Sequence, residues 1–274
     1  MSLIRIAHLS DPHFGTIRPG VQEGLLATLQ ELKPDLILLT GDITQRARRR
    51  QFRDAKYFTH LIRPTPLIAV PGNHDIPLFN IFARLFNPYR GYRKLFKDQL
   101  EKDHEQGEIV VTGLNSTSRW RHIQGDFNFP RIERRLKEKK SKAKVHIVTF
   151  HHPMDCRKPS DEKNLLVGRD QAIDIFDRHN VDLIIGGHIH DPYVTLSKVR
   201  YPNTKRTMVL GVAGTCLSQR TRPGAPNSFN FIEVDTHGVP LISIARYDQT
   251  ENLKFSVVHK HHFQRPDDNG WVVI

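Results

Sequence analysis

An α/β fold, with one sheet packed on another and helices outside, is the architecture this 274-residue sequence predicts, and three observations carry it. Through the first two-thirds, short β-branched runs alternate with helical stretches. Those runs are apolar without a break, as strands covered on both faces are. After Tyr193 the helical spacing stops, and five strand-like runs follow one another at hairpin spacing.

Residues 4–9 read as the first strand. A helix over 21–32 follows, with Leu25, Leu26, Leu29 and Leu32 on one face, and Pro34 ends it because proline has no N–H to donate. Residues 36–39 form a second strand, 48–62 a charged helix and 67–70 a third strand. The segment 79–100 mixes Phe79, Phe82, Phe86 and Tyr92 with Arg84, Arg90, Arg93 and Lys94. Two readings stay open for it: an amphipathic helix packed on the sheet, or a cap offering apolar and basic surface to a substrate or membrane. Strands at 145–150 and 181–185 come next, the second preceded by a helix through Ile173 and Phe176. The late runs 193–199, 207–212, 229–234, 241–245 and 255–259 are expected to be antiparallel and to make the second sheet. No repeat, low-complexity tract or long linker interrupts the chain. One domain over 1–274, with 79–100 as a small cap, is the expectation.

Composition limits the partners. Forty-one Lys and Arg against 29 Asp and Glu leave a formal charge of +12, which favours an anionic partner. The basic runs 46–53 and 137–142 lack the interleaved aromatics of a base-stacking surface, so nucleic acid is open but not favoured. Two cysteines, Cys156 and Cys216, argue against a disulfide framework and for a reducing compartment. No apolar stretch approaches the roughly 20 residues that span a bilayer. The chain is expected to be cytoplasmic, with peripheral membrane contact left open and its oligomeric state unassigned.

Chemistry gathers at strand ends. Asp11-Pro12-His13, Gly41-Asp42, Gly72-Asn73-His74-Asp75, His151-His152 and Gly187-His188-Ile189-His190 each follow a strand. In an open α/β sheet the carboxyl ends of the strands border the ligand crevice, so all five clusters can converge. Two divalent ions about 3.5–4 Å apart need a shared ligand, and the Asp42 carboxylate can give one oxygen to each. Neutral imidazoles suit zinc, iron and manganese, while carboxylates let two cations sit close. Each cluster alone is weak; their conjunction carries the reading.

In these five blocks the sequence resembles the calcineurin-like metallophosphoesterase superfamily, whose pattern is D-x-H, G-D, G-N-H-D/E, H and G-H-x-H. The resemblance implies a four-layer α/β/β/α sandwich of two mixed sheets flanked by helices. It implies that Asp11, His13, Asp42 and His190 hold one metal ion, and that Asp42, Asn73, His151 and His188 hold a second. It further implies that His74 meets the phosphate and aids the leaving group, with Asp75 orienting it, while a hydroxide bridging the ions attacks phosphorus. His151 is preferred to His152 because the family ligand directly follows the strand. His152, Arg220 and Arg222 remain candidates to touch an anionic phosphate-ester substrate. Gly41-Asp42-Ile43-Thr44-Gln45 departs from the protein-phosphatase form of that block. The overall look of the chain is similar to bacterial class III cyclic nucleotide phosphodiesterases, making a 3′,5′-cyclic nucleotide the leading substrate. A pyrophosphatase acting on a nucleotide-linked lipid and a nuclease of the same superfamily are the alternatives.

Overall fold

The computed structural model describes residues 3–97, 99–139 and 143–274, so the end of the basic run 137–142 lies outside the described residues. In chain order the elements are β1 (Leu3–Leu9), α1 (Val21–Leu32), β2 (Leu36–Thr40), α2 (Arg49–Leu61) and β3 (Leu67–Val70), then α3 (Ile81–Phe86), α4 (Arg90–Leu95), β4 (Asp103–Gln106), β5 (Ile109–Gly113) and α5 (Phe129–Lys139). They continue with β6 (Val145–Thr149), α6 (Arg169–Arg178), β7 (Leu183–Gly186), β8 (Tyr193–Leu196) and β9 (Val209–Val212), and end with β10 (Ser228–Asp235), β11 (Leu241–Gln249), β12 (Phe255–Asp267) and β13 (Gly270–Val273).

Two mixed sheets result, ordered β13-β12-β11-β10-β1-β2-β3 and β4-β5-β6-β7-β9-β8. Side chains alternate across each strand, and the alternation builds the layers. Ile4, Ile6, Leu36, Leu38 and Ile68 from the first sheet share one core with Ile109, Val111, Val145, Ile147, Leu183 and Ile185 from the second. Ala7, Leu9, Ile37 and Leu39 face the other way, onto Leu25 of α1, Phe52 and Phe58 of α2 and Tyr92 of α4. On the far side, Val148 and Ile184 pack on Ile132 and Leu136 of α5 and Ile173 and Phe176 of α6. Helix, sheet, sheet, helix: the four-layer sandwich is present.

The late strands divide between the sheets rather than forming one of their own. β9 pairs parallel with β7 and carries β8 at its edge, while β10 pairs antiparallel with β1, Ile6 opposite Ile232. Hairpin spacing shows which strands are consecutive; it does not show which open edge they extend. The segment 79–100 is also not one helix. Asn87-Pro88 separates α3 from α4, because the ring of Pro88 removes a donor that a continuous helix needs. α4 buries Tyr92 against α2, whereas α3 buries nothing, leaving Phe79, Phe82 and Phe86 71–80% exposed. Both cysteines are buried free thiols. No helix among the described residues is long and apolar enough to cross a membrane.

Candidate metal centre

Parallel strands point their carboxyl ends one way, so β1, β2 and β3 of one sheet and β6 and β7 of the other deliver their following loops to one rim. From the first sheet come Asp11, His13, Asp42 and Asn73; from the second come His151, His188 and His190. All seven sit together. His190 Nε2 lies 3.1 Å from both His13 Nε2 and Asp11 Oδ1. His151 Nε2 lies 3.2 Å from Asn73 Oδ1 and 3.2 Å from His188 Nδ1. Asp42 stands between these groups, Oδ2 3.7 Å from His13 Nε2 and Oδ1 3.4 Å from His151 Nε2.

The backbone is bent to achieve this. Asp11, His13, Asp42, His188 and His190 all have φ between 45° and 72°, the left-handed region that costs L-residues on the order of 1–3 kcal/mol each. Hydrogen bonds fix the conformation: Thr215 Oγ1 donates to Asp11 O, and His188 N to Asp11 Oδ2. Close approach explains the neighbouring glycines. A Cβ on Gly187 would collide with Ser10 Oγ and Asp11 Oδ2, and one on Gly72 with the Asp42 backbone and carboxylate.

Tautomers follow from the outer partners. His190 Nδ1 faces Arg220 O at 2.6 Å and His151 Nδ1 faces Thr40 O at 2.8 Å, so both must donate there. In a neutral ring the Nε2 lone pair would then point at carboxylate or amide oxygens, acceptor facing acceptor in a buried space. His188 Nε2 is buried with no hydrogen-bond partner among the described residues. Such a constellation calls for cations, and two nitrogen- and oxygen-rich half-sites sharing Asp42 fit two of them. The electrostatics agree. Burial would raise the Asp11 and Asp42 carboxyls, yet His190 beside one and His151 beside the other hold both well below the carboxylate range. Burial lowers His188 to about 3, with His151 adding to the shift, and carries His13 well below its ordinary value. His151 moves the other way, up to about 9, because Asp42 outweighs its burial. A proton there offsets buried carboxylates, and a cation would displace it.

Above the centre is a cavity of about 260 Å³ whose wall includes Gln45, Asn73, His74, His122 and Arg220. His74 Nδ1 faces Gln45 O at 2.7 Å, leaving Nε2 toward the cavity, where Arg220 Nη1 lies 3.3 Å away. Three expectations need correction. Asp75 does not orient His74: it accepts from Gly72 N, Ile43 N and Thr44 N and so ties two motif loops together, while burial, with Asp42 behind it, raises its carboxyl to about 6. Arg222 points away from the centre and holds Asp161 through two hydrogen bonds of 2.6 and 2.9 Å. His152 is fully buried with its Nδ1 2.9 Å from Ser116 Oγ and does not line the cavity; its Nε2 has no hydrogen-bond partner among the described residues and groups with His151 and His188 as a possible metal-holding set.

Sequence reasoning missed His122, which lines the cavity 6.0 Å from the His74 ring. It sits in an irregular loop with no motif around it. Thr40 and Gln45 were missed because they act through backbone carbonyls, which any residue carries.

This fold and rim define a class, the metallophosphoesterases. Residues 4–192 match the calcineurin-like phosphoesterase family model, and the chain belongs to that family. It is 27% identical over 168 residues to a probable glycerophosphodiester phosphodiesterase, GpdQ, of Arcobacter nitrofigilis, covering 60% of this chain and 59% of that protein. It is 21% identical over 225 residues to a component of the nuclease SbcCD of Staphylococcus epidermidis, covering 72% of this chain and 60% of that one. The chain thus spans about three-fifths of the length of these curated relatives. Among solved structures, the purple acid phosphatase PPD1 of yellow lupin seeds shares the fold, with a TM-score of 0.72 at 12% identity over 94% of this chain and 53% of that one.

Proposed function

We propose that the chain hydrolyses a phosphodiester at a two-metal centre. The observation that carries this is Asp42, whose two carboxylate oxygens face the two separate ligand groups. Asp11, His13, Asp42 and His190 would hold one ion and Asp42, Asn73, His151 and His188 the other; manganese, iron and zinc all suit these donors. When bound, such ions lower the pKa of water and offset phosphoryl charge. The chain's own residues supply the rest. Gln45 O fixes the His74 ring so that Nε2 meets the substrate, where a protonated ring can donate to the phosphate or the departing oxygen. Arg220 Nη1, beside His13 and His74, adds a second donor for the phosphate. His122 also lines the cavity, its ring 6.0 Å from that of His74.

The phosphodiesterase relative supports a diester over a monoester. The small polar cavity supports a compact group around phosphorus, and a 3′,5′-cyclic nucleotide is the first diester to try. The test is turnover by metal-reconstituted protein of cyclic AMP, bis-p-nitrophenyl phosphate, p-nitrophenyl phosphate and single-stranded DNA. Diesters should be cleaved, and Asp42→Asn should lower both turnover and the metal content from two ions per chain. Cleavage of the monoester alone would sink the diester reading; an unchanged metal content in Asp42→Asn would sink the bridging role.

A further inference from the structure

A second, larger cavity of about 770 Å³ adjoins the first, between α2 on one wall and the 77–95 segment on the other. That is within the range of roughly 300–1,000 Å³ that accommodates ligands of drug size. The two cavities share Arg46 and Leu78 as common wall residues, so the groove opens beside the metal centre. Its apolar lining includes Phe52, Leu95 and the exposed rings of Phe79, Phe82 and Phe86. Seven Arg and Lys side chains border it, five from 46–56 and two, Arg90 and Lys94, from α4. Among the described residues, the single carboxylate within ion-pair distance of these seven is Asp54, 3.7 Å from Arg53. Among the described residues, the one acid in the wall, Asp75, is buried and already accepts backbone hydrogen bonds. Arg46 lies over the Phe79 ring at 5.0 Å, placing a cation at the junction of the two cavities.

An apolar trough with a cationic border, leading to a phosphate-hydrolysing centre, complements one kind of ligand: an anion with a hydrocarbon tail. We infer that the substrate is an amphiphilic phosphodiester, its phosphate at the centre and an acyl or alkyl chain along the groove between α2 and α3–α4. The inference rests on the phosphodiesterase reading and narrows it to diesters that carry a hydrocarbon chain, in place of a cyclic nucleotide. Exposed aromatic side chains on α3 have no other packing role, since α3 buries none of its residues.

A homologous series separates the groove's contribution from that of the centre. Methyl, hexyl and decyl esters of 4-nitrophenyl phosphate share one leaving group and differ in chain alone. Used as monomers with metal-reconstituted protein, they should show kcat/KM rising by about tenfold or more from methyl to decyl, mostly through KM, as methylenes leave water. Phe82→Asp and Phe86→Asp, both at exposed positions, should abolish that gain and leave the methyl ester unchanged. Equal kcat/KM across the series would overturn the inference and leave the phosphodiesterase reading standing. No turnover of any ester would sink that reading instead, and the groove is then read by binding. Dansylundecanoate, an anionic chain with nothing to hydrolyse, should bind with enhanced fluorescence and lose it in Phe82→Asp; absence of binding would overturn the groove assignment. Binding to phosphatidylglycerol vesicles without chain-length dependence would also overturn it, in favour of a membrane-contacting face.

Discussion

At the residue scale the centre depends on atoms that are not there. Gly187 precedes His188 and has no Cβ to displace Ser10 Oγ or the Asp11 carboxylate, whose Oδ2 accepts from both Ser10 Oγ and His188 N. Gly187→Ala is therefore expected to move Asp11 without replacing any ligand. Loss of a group that orients a ligand typically costs about 10–100-fold in metal affinity or activity. Metal titration and diester turnover should both fall by that order while the circular dichroism spectrum stays unchanged; full metal affinity would show that the loop yields to the methyl. The clusters themselves were legible in the sequence, because each candidate ligand is marked by its own type and a neighbouring strand end. The two glycines of Gly186-Gly187-His188 were legible only as an oddity. For Gly187 the reason is a contact with Ser10 and Asp11, and for Gly186 a close approach to the Phe150 carbonyl, neither of which spacing can show. Arg220 and Arg222 show the opposite failure: two positions apart and alike in chemistry, they point to different partners, one to His13 and His74 and the other to Asp161.

At the element scale that second arginine becomes useful. Arg222 clamps the loop after β9 to a short 3-10 turn, Pro159–Asn164, through Asp161. The loop carries Arg220, whose carbonyl orients His190 and whose guanidinium overlooks the cavity. Arg222→Ala should consequently raise KM for a diester several-fold while changing kcat less, because it loosens a phosphate-facing group without removing it. A fall in kcat with KM unchanged, or no kinetic effect at all, would show that the clamp does not position Arg220. The hydrogen bonds from Arg222 hold the Asp161 carboxyl below its ordinary value, so the folded state binds its proton less tightly than the unfolded chain does. Its stabilisation is therefore complete above about pH 4 and is lost as the pH falls further. With Arg222 partly exposed, about 1 kcal/mol is the appropriate size. Asp161→Asn should melt about 2–4 °C below the native chain at pH 7, and the gap should narrow as the pH falls below about 4. A gap that widens in acid would reverse the assignment. The short helices tell a related story about legibility. The boundaries of α1 and β3 can be read from local periodicity, whereas the break between α3 and α4 depended on giving Pro88 more weight than the run of aromatics around it.

At the scale of the whole molecule, the two sheets meet in one core while their C-terminal rims contribute opposite halves of the centre. The sequence announced two kinds of strand succession, but pairing to an open edge is decided by packing across the sandwich, and β10 joining β1 could not be read from hairpin spacing. That pairing matters for stability. Asp11 follows β1 of one sheet and His190 follows β7 of the other, so any charge imbalance between them acts across the interface of the two layers. Two buried carboxylates, crowded imidazoles and five left-handed candidate ligand residues are costs that the packed core must bear when no cation is bound. Cation binding relieves them in the folded state and has no preformed site in the unfolded one. A free ion at a hundred times its dissociation constant adds about 2.7 kcal/mol to unfolding. For a chain of this size that is on the order of 5–10 °C in Tm, at about 2–4 °C per kcal/mol. Chelation with EDTA should lower the melting temperature by that amount per tightly bound ion, and excess manganese or zinc should restore it. In Asp42→Asn the response should be smaller, since the carboxylate shared by both half-sites is gone. A melting temperature indifferent to chelation, with metal loss verified by elemental analysis, would mean that the rim is held by the sandwich alone and that the ions add chemistry without adding stability.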